Sequence, residues 1–260
     1  MISFTSVELN TWVAAFLWPL TRILGLIAAA PLYGNVSVPA SVKIGLGVML
    51  ALIISPAIPK LPAMDPMSLA GIMIMIQQFI IGAAMGFSMR VIFASVEMAG
   101  EITGLTMGLG FATFFDPQSQ GRSSAVSQFL ALLAITVFVG ANMHLQVLSA
   151  LVESFSTMPI AASPSGTHGF QQLASFGGRV FGAGVQLSLP IVAALLIVNI
   201  ALGILTRAAP QLNLFGIGFP ITLTIGFVLM ALILPYLAAP MQRLFEEGIE
   251  MMRQVGTAVL

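Results

Sequence analysis

Between Arg179 and Arg207, residues 180–206 read VFGAGVQLSLPIVAALLIVNIALGILT, a run of 27 residues without a charged side chain. An α-helix needs about 20 mostly apolar residues to cross the hydrocarbon core of a bilayer. Longer uncharged intervals lie on either side of this run, over residues 123–152 and 208–242. These three intervals predict hydrophobic helices.

The composition of the whole chain excludes a water-soluble fold. Of its 260 residues, 58% are hydrophobic and 7% are charged, whereas soluble domains carry roughly a quarter charged residues. Nine basic and nine acidic residues cancel, so the charge pattern of a nucleic-acid-binding protein is absent. The chain has no cysteine, which excludes disulfides, thiolate nucleophiles and cysteine-based metal sites.

Three further apolar segments, residues 11–30, 41–58 and 67–96, contain proline or polar residues and predict less regular helices. Breaks rich in proline and glycine separate the six segments, and such residues commonly mark helix ends. We expect a helix start at Ser6, because Thr5 and Glu8 form a capping-box pattern. We expect a kink at Pro190.

The pattern changes after Pro240, where apolar and charged residues fall on opposite faces of one predicted helix. The apolar face carries Met241, Leu244, Phe245, Gly248, Met252 and Val255. The sequence therefore predicts an all-α, hydrophobic, membrane-associated protein with about six apolar helices, a C-terminal amphipathic helix and a single domain over residues 1–260.

Motifs of enzyme chemistry are missing from the sequence. It has no H-E-x-x-H, no P-loop and no G-x-S-x-G. His144 and His168 lack acidic residues at metal-ligand spacing. We therefore expect no enzymatic activity, no cofactor and no metal site.

Charged residues within an apolar segment raise a functional question, because they are costly unless paired. Arg90, Glu97 and Glu101 follow one another at i, i+7 and i+11, along one stripe of a helix. One interpretation is the ion relay of a transporter. The interpretation we favour is a buried charge network that pairs with neighbouring helices or subunits.

Residues 107–124 read MGLGFATFFDPQSQGRSS and are the most informative connection. Gly108, Gly110 and Pro117 prevent a regular helix. Irregular backbone between hydrophobic helices must line a cavity or be buried in protein, since lipid cannot satisfy its polar groups. A loop with phenylalanines at 111, 114 and 115 can block a pore in that setting, and the alternative is an ordinary surface loop.

Three blocks of sequence resemble the FliR family, the R subunit of the flagellar and type III secretion export gate. The N-terminal block holds Arg22 to Gly25, Ala30 to Gly34, Val38-Pro39 and Val42 to Gly45; the second holds Met98 to Gly100 and Gly108 to Ser119; the third spans residues 203–220. The blocks run in family order over nearly the whole chain.

This resemblance implies a non-enzymatic subunit of the flagellar type III protein-export gate, required for flagellum assembly. Its implied location is the bacterial inner membrane, within the flagellar basal body. The implied partners are the P and Q subunits (FliP and FliQ), the FlhB and FlhA export components, the basal-body ring, exported proteins in transit and membrane lipid, and nucleic acid is not among them.

In the FliR family a glycine- and phenylalanine-rich loop is thought to plug the closed channel. The plug and gating residues that this implies here are Gly108, Gly110, Phe111, Phe114, Phe115, Asp116 and Pro117.

Two other functions remain open from the residues alone. A secondary transporter would use Arg90, Glu97 and Glu101 as its ion site. A weak sign of an internal repeat supports the transporter, since Pro39 with Gly45 and Pro220 with Gly226 share a spacing of six. A purely structural scaffold differs from the gate subunit only in that its loop does not move.

Overall fold

The computed structural model describes residues 6–58, 62, 64–111, 124–161, 168–209 and 218–257. The regular elements that these ranges form are helices, as the sequence predicts. The α-helices are α1 Ser6–Ala29, α2 Ala40–Ile54, α3 Leu69–Thr106, α4 Ala125–Gly140, α5 Met143–Thr157, α6 His168–Phe176, α7 Arg179–Ala208 and α8 Phe219–Thr257. Single 3-10 turns follow α2 at Ser55–Ala57 and α3 at Leu109–Phe111.

Within these ranges, five stretches are long and apolar enough to cross a membrane: Asn10–Ala29, Ala40–Ala57, Leu69–Thr106, Gln171–Ala208 and Phe219–Val255. Helices α4 and α5 together form a bent sixth candidate. The predicted count of about six apolar helices is confirmed. At 1.5 Å per residue, α3 with 38 residues and α8 with 39 residues are about 57 and 59 Å long, nearly twice the thickness of a hydrocarbon core.

The expectation of one continuous helix over residues 123–152 is wrong. The chain leaves the helix after Gly140, and α5 begins at Met143 as a separate helix. Asn142 lies in the left-handed region, with φ 56° and ψ 22°. Asparagine enters this region more readily than most residues with a side chain. The chain therefore turns at Asn142 although the interval around it contains no charged residue.

Prolines within the other long helices do not end them. Helix α7 runs through Pro190, and α8 runs through Pro235 and Pro240. The kink at Pro190 stays a prediction. Helix α1 is described from Ser6 onward. Thr5 of the predicted capping box lies outside the described residues, so the helix start at Ser6 stays a prediction.

The chain divides into two compact units, each assembled from separated segments. The first unit contains Met1–Val91, Asn142–Gly177 and Phe245–Leu260. In it, α1 and α3 pack so closely that a side chain on Gly82 would overlap the carbonyl oxygen of Arg22. The amphipathic end of α8 also packs here, and Val255 forms a buried cluster with Ala84 and Leu173.

Burial confirms the predicted amphipathic character of this last segment. The side chains of Met241, Leu244, Phe245, Met252 and Val255 are buried. Arg243, Glu246, Glu250 and Arg253 are exposed. The segment continues α8 without a break, so it is not a separate helix.

The second unit contains Ile92–Ala141 and Gly178–Leu244. Its core includes a cluster of Met107, Val126, Ile191, Leu195 and Met230. These side chains come from the end of α3, the start of α4, and the apolar lengths of α7 and α8. The single domain expected over residues 1–260 stays a prediction.

Candidate functional site

Helix α3 ends where the glycine-rich loop begins. The N–H of Met107 donates to the carbonyl of Thr103 at 2.9 Å, and the N–H of Gly108 donates to the carbonyl of Leu105 at 3.0 Å. Gly108 has φ 90°, a conformation that strains any residue with a Cβ atom. The helix therefore stops at a position that requires glycine, and the 3-10 turn at Leu109–Phe111 follows it.

The chain leaving α3 is anchored by Met107, whose side chain is fully buried. Gly226 of α8 faces this side chain so closely that a Cβ atom there would lie 2.6 Å from Met107 Cγ. Thr222 Oγ1, one turn earlier in α8, lies 3.4 Å from the carbonyl oxygen of Met107, but the carbonyl oxygen of Phe219, at 3.0 Å, is the closer acceptor for its single proton. Helix α8 thus holds the first end of the loop in place.

The second end of the loop is Ser124, the N-cap of α4. Its hydroxyl oxygen accepts a hydrogen bond from the N–H of Ser127 at 3.1 Å, an ordinary serine cap. Its own N–H donates to Glu101 Oε1 at 2.7 Å. Ser127 Oγ in turn donates to the carbonyl of Glu97 at 2.9 Å. The start of α4 is therefore bonded to α3 at two levels.

Glycine lets the two helices approach closely enough for these bonds. A side chain on Gly100 would overlap Ser127 Cα and lie 2.8 Å from its backbone nitrogen. A Cβ atom on Gly104 would lie 3.0 Å from Ser124 Oγ. We call Gly100, Glu101, Gly104, Ser124 and Ser127 the loop clamp, because they join the two ends of the loop.

Four of the predicted plug residues, Phe114, Phe115, Asp116 and Pro117, lie outside the described residues. Gly108 and Gly110 are described, and so is the backbone of Phe111. The gating role of these seven residues stays a prediction. What the structure describes is the two ends of the loop, at Gly108 and at Ser124.

The charged stripe of α3 faces outward in the chain by itself. The side chains of Arg90 and Glu97 are exposed, and that of Glu101 is half-buried. The buried charge network predicted for these three residues stays a prediction. Glu101 has a different role that the sequence did not suggest, as the acceptor for Ser124.

The fully buried arginine is Arg22 in α1, with 0% of its surface exposed. Its Nε donates to Gln78 Oε1 at 2.7 Å, and its Nη1 donates to the carbonyl and hydroxyl oxygens of Ser154 at 2.8 and 3.1 Å. Its Nη2 donates to the carbonyl of Met158 at 2.8 Å. The guanidinium also lies over the ring of Phe155, 4.4 Å from the centroid.

We call these five residues the arginine hub. It joins α1, α3 and the C-terminal end of α5, where the last carbonyls of a helix lack intrahelical partners. Sequence reasoning missed this role for Arg22. The available signal was a single arginine within the apolar segment 11–30, combined with a glutamine within the apolar segment 67–96.

A second contact holds the same unit at the other end of α5. Tyr33 Oη, in the connection between α1 and α2, donates to the carbonyl of His144 at 3.1 Å. Burial raises the pKa of Tyr33, so this phenol keeps its proton and remains a donor throughout the physiological range. Lys43 Nζ, in α2, donates to the carbonyl of Gly34 in the same connection at 3.1 Å.

Comparison with known proteins places these features in a family. The model of the family described as "Bacterial export proteins, family 1" matches residues 13–248. The chain belongs to this family. The flagellar biosynthetic protein FliR of Pectobacterium carotovorum is 44% identical over 257 residues, which cover 99% of this chain and 98% of the relative. FliR of Escherichia coli K12 is 43% identical over 249 residues, covering 95% and 94%.

The match extends to a more distant member. FliR of Bacillus subtilis is 29% identical over 246 residues, covering 93% of this chain and 94% of the relative. The family resemblance expected from the three sequence blocks is confirmed. Within the family fold, the first block supplies Arg22 to the arginine hub, and the second supplies Gly100 to the loop clamp and Gly108 to the turn after α3.

Proposed function

We propose that the chain is a non-enzymatic core subunit of the flagellar type III protein-export gate, located in the bacterial inner membrane at the flagellar basal body. It forms part of the channel, and its loop of residues 108–119 helps to close that channel. Its proposed partners are the P and Q subunits, together with the FlhB and FlhA components and the basal-body ring.

The loop clamp is the observation that supports this proposal best. It fixes the second end of the aromatic-rich loop to α3, while α8 holds the first end at Met107, and such a base suits a loop that must return to one closed position. Membership of an export family and five or six membrane-capable helices support the remainder of the proposal. The lack of a nucleotide-binding loop in the sequence is consistent with an energy supply from partners.

The experiment removes residues 110–117 from the full chain, expressed together with the other gate subunits. We expect the complex to assemble and the membrane to become leaky to ions and small solutes, because nothing then fills the closed channel. Assembly is checked by native mass spectrometry and the leak by conductance. An assembled complex with unchanged conductance would contradict the plug role.

A substitution series separates the aromatic side chains from loop length. Replacing Phe111, Phe114 and Phe115 by serine should cause a leak, because serine has too little apolar volume to seal a pore. Replacing Gln118, Ser119 and Gln120 by alanine keeps the same length and the same phenylalanines. This matched control should stay closed.

The secondary transporter has less support. Glu101, one of its three proposed ion-site residues, is engaged by the N–H of Ser124. Pro39 of the suggested internal repeat is the N-cap of α2, a helix end at which proline is common, so this half of the repeat has an ordinary structural explanation. Purification as a stable homo-oligomer, without other gate subunits, would restore this alternative.

A further inference from the structure

Two buried donor groups beside the arginine hub have no hydrogen-bond partner among the described residues. They are the indole Nε1 of Trp18 and the amide Nε2 of Gln78. Both side chains are 0% exposed, so bulk water does not reach either group. A buried donor that stays unpaired costs its full desolvation penalty, and two such donors near each other therefore indicate a site for an acceptor.

The packing of α1 on α3 shows where these donors lie. A Cβ atom on Gly82 would overlap the carbonyl oxygen of Arg22. A Cβ atom on Gly86, four residues later in α3, would lie 2.8 Å from the carbonyl oxygen of Leu26, four residues later in α1. The two helices therefore run in the same direction, and successive turns of α1 meet successive turns of α3.

Trp18 and Gln78 share one level of this contact, because they lie four residues before Arg22 and Gly82 respectively. Residues four apart are neighbours on one face of a helix, which places Trp18 beside Arg22 on α1. Gln78 reaches the same arginine from α3, since its Oε1 accepts from Arg22 Nε at 2.7 Å. The two unpaired donors therefore lie on either side of the Arg22 side chain.

The chemistry at this point is rich in donors and carries a positive charge. Indole and guanidinium groups donate hydrogen bonds and accept none. The oxygens that accept from Arg22 among the described residues are all neutral, and they belong to Gln78, Ser154 and Met158. A buried charge is costly unless it is paired. The acceptor that suits these groups is therefore negatively charged and has no protons of its own.

We propose that the arginine hub and Trp18 together bind one small anion, of the size and charge of chloride. Trp18 Nε1 and Gln78 Nε2 donate to the anion, and Arg22 supplies the opposite charge. Water suits the site less well, because each water molecule brings two further donors that need acceptors. A monatomic ion also suits side chains that are fully buried. The bound anion stabilises the contact of α1 with α3.

The first test measures thermal unfolding of the full chain, purified in mild detergent with the subunits that accompany it. Sodium chloride is compared with sodium gluconate at equal ionic strength, because gluconate is too large for the site. A ligand that binds only the folded protein stabilises it by mass action. We expect chloride at ten times its dissociation constant to raise the unfolding temperature by about 3 to 6 °C. Equal unfolding temperatures in the two salts would overturn the proposal.

A pair of tryptophan variants shows whether chloride acts at this site. Trp18→Phe removes one donor and keeps an aromatic ring, so most of the chloride-dependent shift should be lost. Trp12→Phe makes the same exchange at a side chain that is 62% exposed, and this matched control should keep the full shift. Equal shifts in the two variants would show that chloride acts elsewhere, and the proposed site would be wrong.

Gln78→Glu supplies the anion from the protein itself. Its carboxylate still accepts from Arg22 Nε, and it replaces the unpaired amide donor by a negative charge. In gluconate this variant should unfold at a higher temperature than the wild type, and chloride should add no further stability. A Gln78→Glu variant that responds to chloride as the wild type does would contradict the proposal.

A second measurement locates the ion by fluorescence. Bromide can replace chloride, and as a heavy ion it quenches an indole that it contacts. The difference in emission between the wild type and Trp18→Phe reports Trp18 alone. Bromide should quench this difference saturably, with half-saturation at the concentration that gives half of its effect on unfolding. Unchanged emission would mean that no anion contacts Trp18, which would overturn the proposal. Export is not measured in either test, so the proposed function stands or fails separately.

Discussion

Helices α4 and α5 are held at their outer ends by side chains of opposite charge. The N-terminus of α4 receives the carboxylate of Glu101 from α3, and the C-terminus of α5 receives the guanidinium of Arg22 from α1. Both choices match the helix dipole, which favours anions at the N-terminus and cations at the C-terminus. Each end is therefore capped by a residue from another helix.

The two caps differ in how completely they are enclosed. Arg22 is fully buried and gives hydrogen bonds to four neutral oxygens, from Gln78, Ser154 and Met158. Glu101 is half-buried and accepts from one backbone N–H. The same capping chemistry is therefore enclosed by protein at Arg22 and partly open to solvent at Glu101.

The largest effect should come from the arginine hub. Arg22→Met keeps much of the side-chain volume but removes the hydrogen bonds that the guanidinium donates to Gln78, Ser154 and Met158. Each buried oxygen left without a donor costs about 1–3 kcal/mol, so we expect reduced accumulation and early thermal unfolding in detergent. Arg243→Met, at an exposed position, is the matched control and should behave like the wild type.

This comparison also separates the hub from the clamp. Glu101→Leu removes one hydrogen bond at a half-buried position, so it should lower the unfolding temperature less than Arg22→Met does. If Arg22→Met unfolds at the wild-type temperature, the hub is not the stabilising site that its burial indicates.

A smaller effect should come from the glycines that bring the helices together. Gly82→Ala places a methyl group against the rigid carbonyl of Arg22, and such overpacking typically costs about 1–3 kcal/mol. Gly104→Ala meets the hydroxyl of Ser124 at 3.0 Å, the end of a side chain that can move. Thermal unfolding should therefore show a larger loss for Gly82→Ala than for Gly104→Ala.

Gly45→Ala controls for helix propensity in this pair. A Cβ atom at Gly45 meets nothing within 4 Å, so the substitution should raise stability by about 0.5–1 kcal/mol. Equal losses at Gly82 and Gly104 would show that the α1–α3 contact and the loop clamp tolerate crowding alike.

Hydrophobicity was sufficient to predict the helices, but it was not sufficient to predict the break between α4 and α5. An interval without charges indicates an apolar environment, but it does not show where the backbone leaves the helical region. Gly140 and Asn142 carried that information, because both residue types tolerate a turn. The loss of helix at Gly108 was predictable for the same reason, from glycine in a connection.

The burial of charges was the harder part of the prediction. The spacing of Arg90, Glu97 and Glu101 shows that they share one face of α3, but a helix that is apolar on every side does not reveal which face is inward. Arg22 offered no partner at helical spacing, because its acceptors come from two other helices. The hydrogen bond from Ser124 to Glu101 could not be predicted either, because a capping box is recognised in sequence only when both of its residues lie in one helix.

The smallest effect should come from the exposed side of the α5 C-terminus. Glu153 precedes Ser154, and its Oε2 lies 3.4 Å from Arg253 Nε, with the two side chains 53% and 42% exposed. Exposed ion pairs contribute about 0–1 kcal/mol, and an anion near a helix C-terminus is itself unfavourable. Because the two terms oppose each other, Glu153→Gln should change the free energy of unfolding by less than about 0.5 kcal/mol. A double-mutant cycle with Arg253→Gln measures the pair directly, and a coupling comparable to the loss in Arg22→Met would mean that charge at this helix end matters whether or not it is buried.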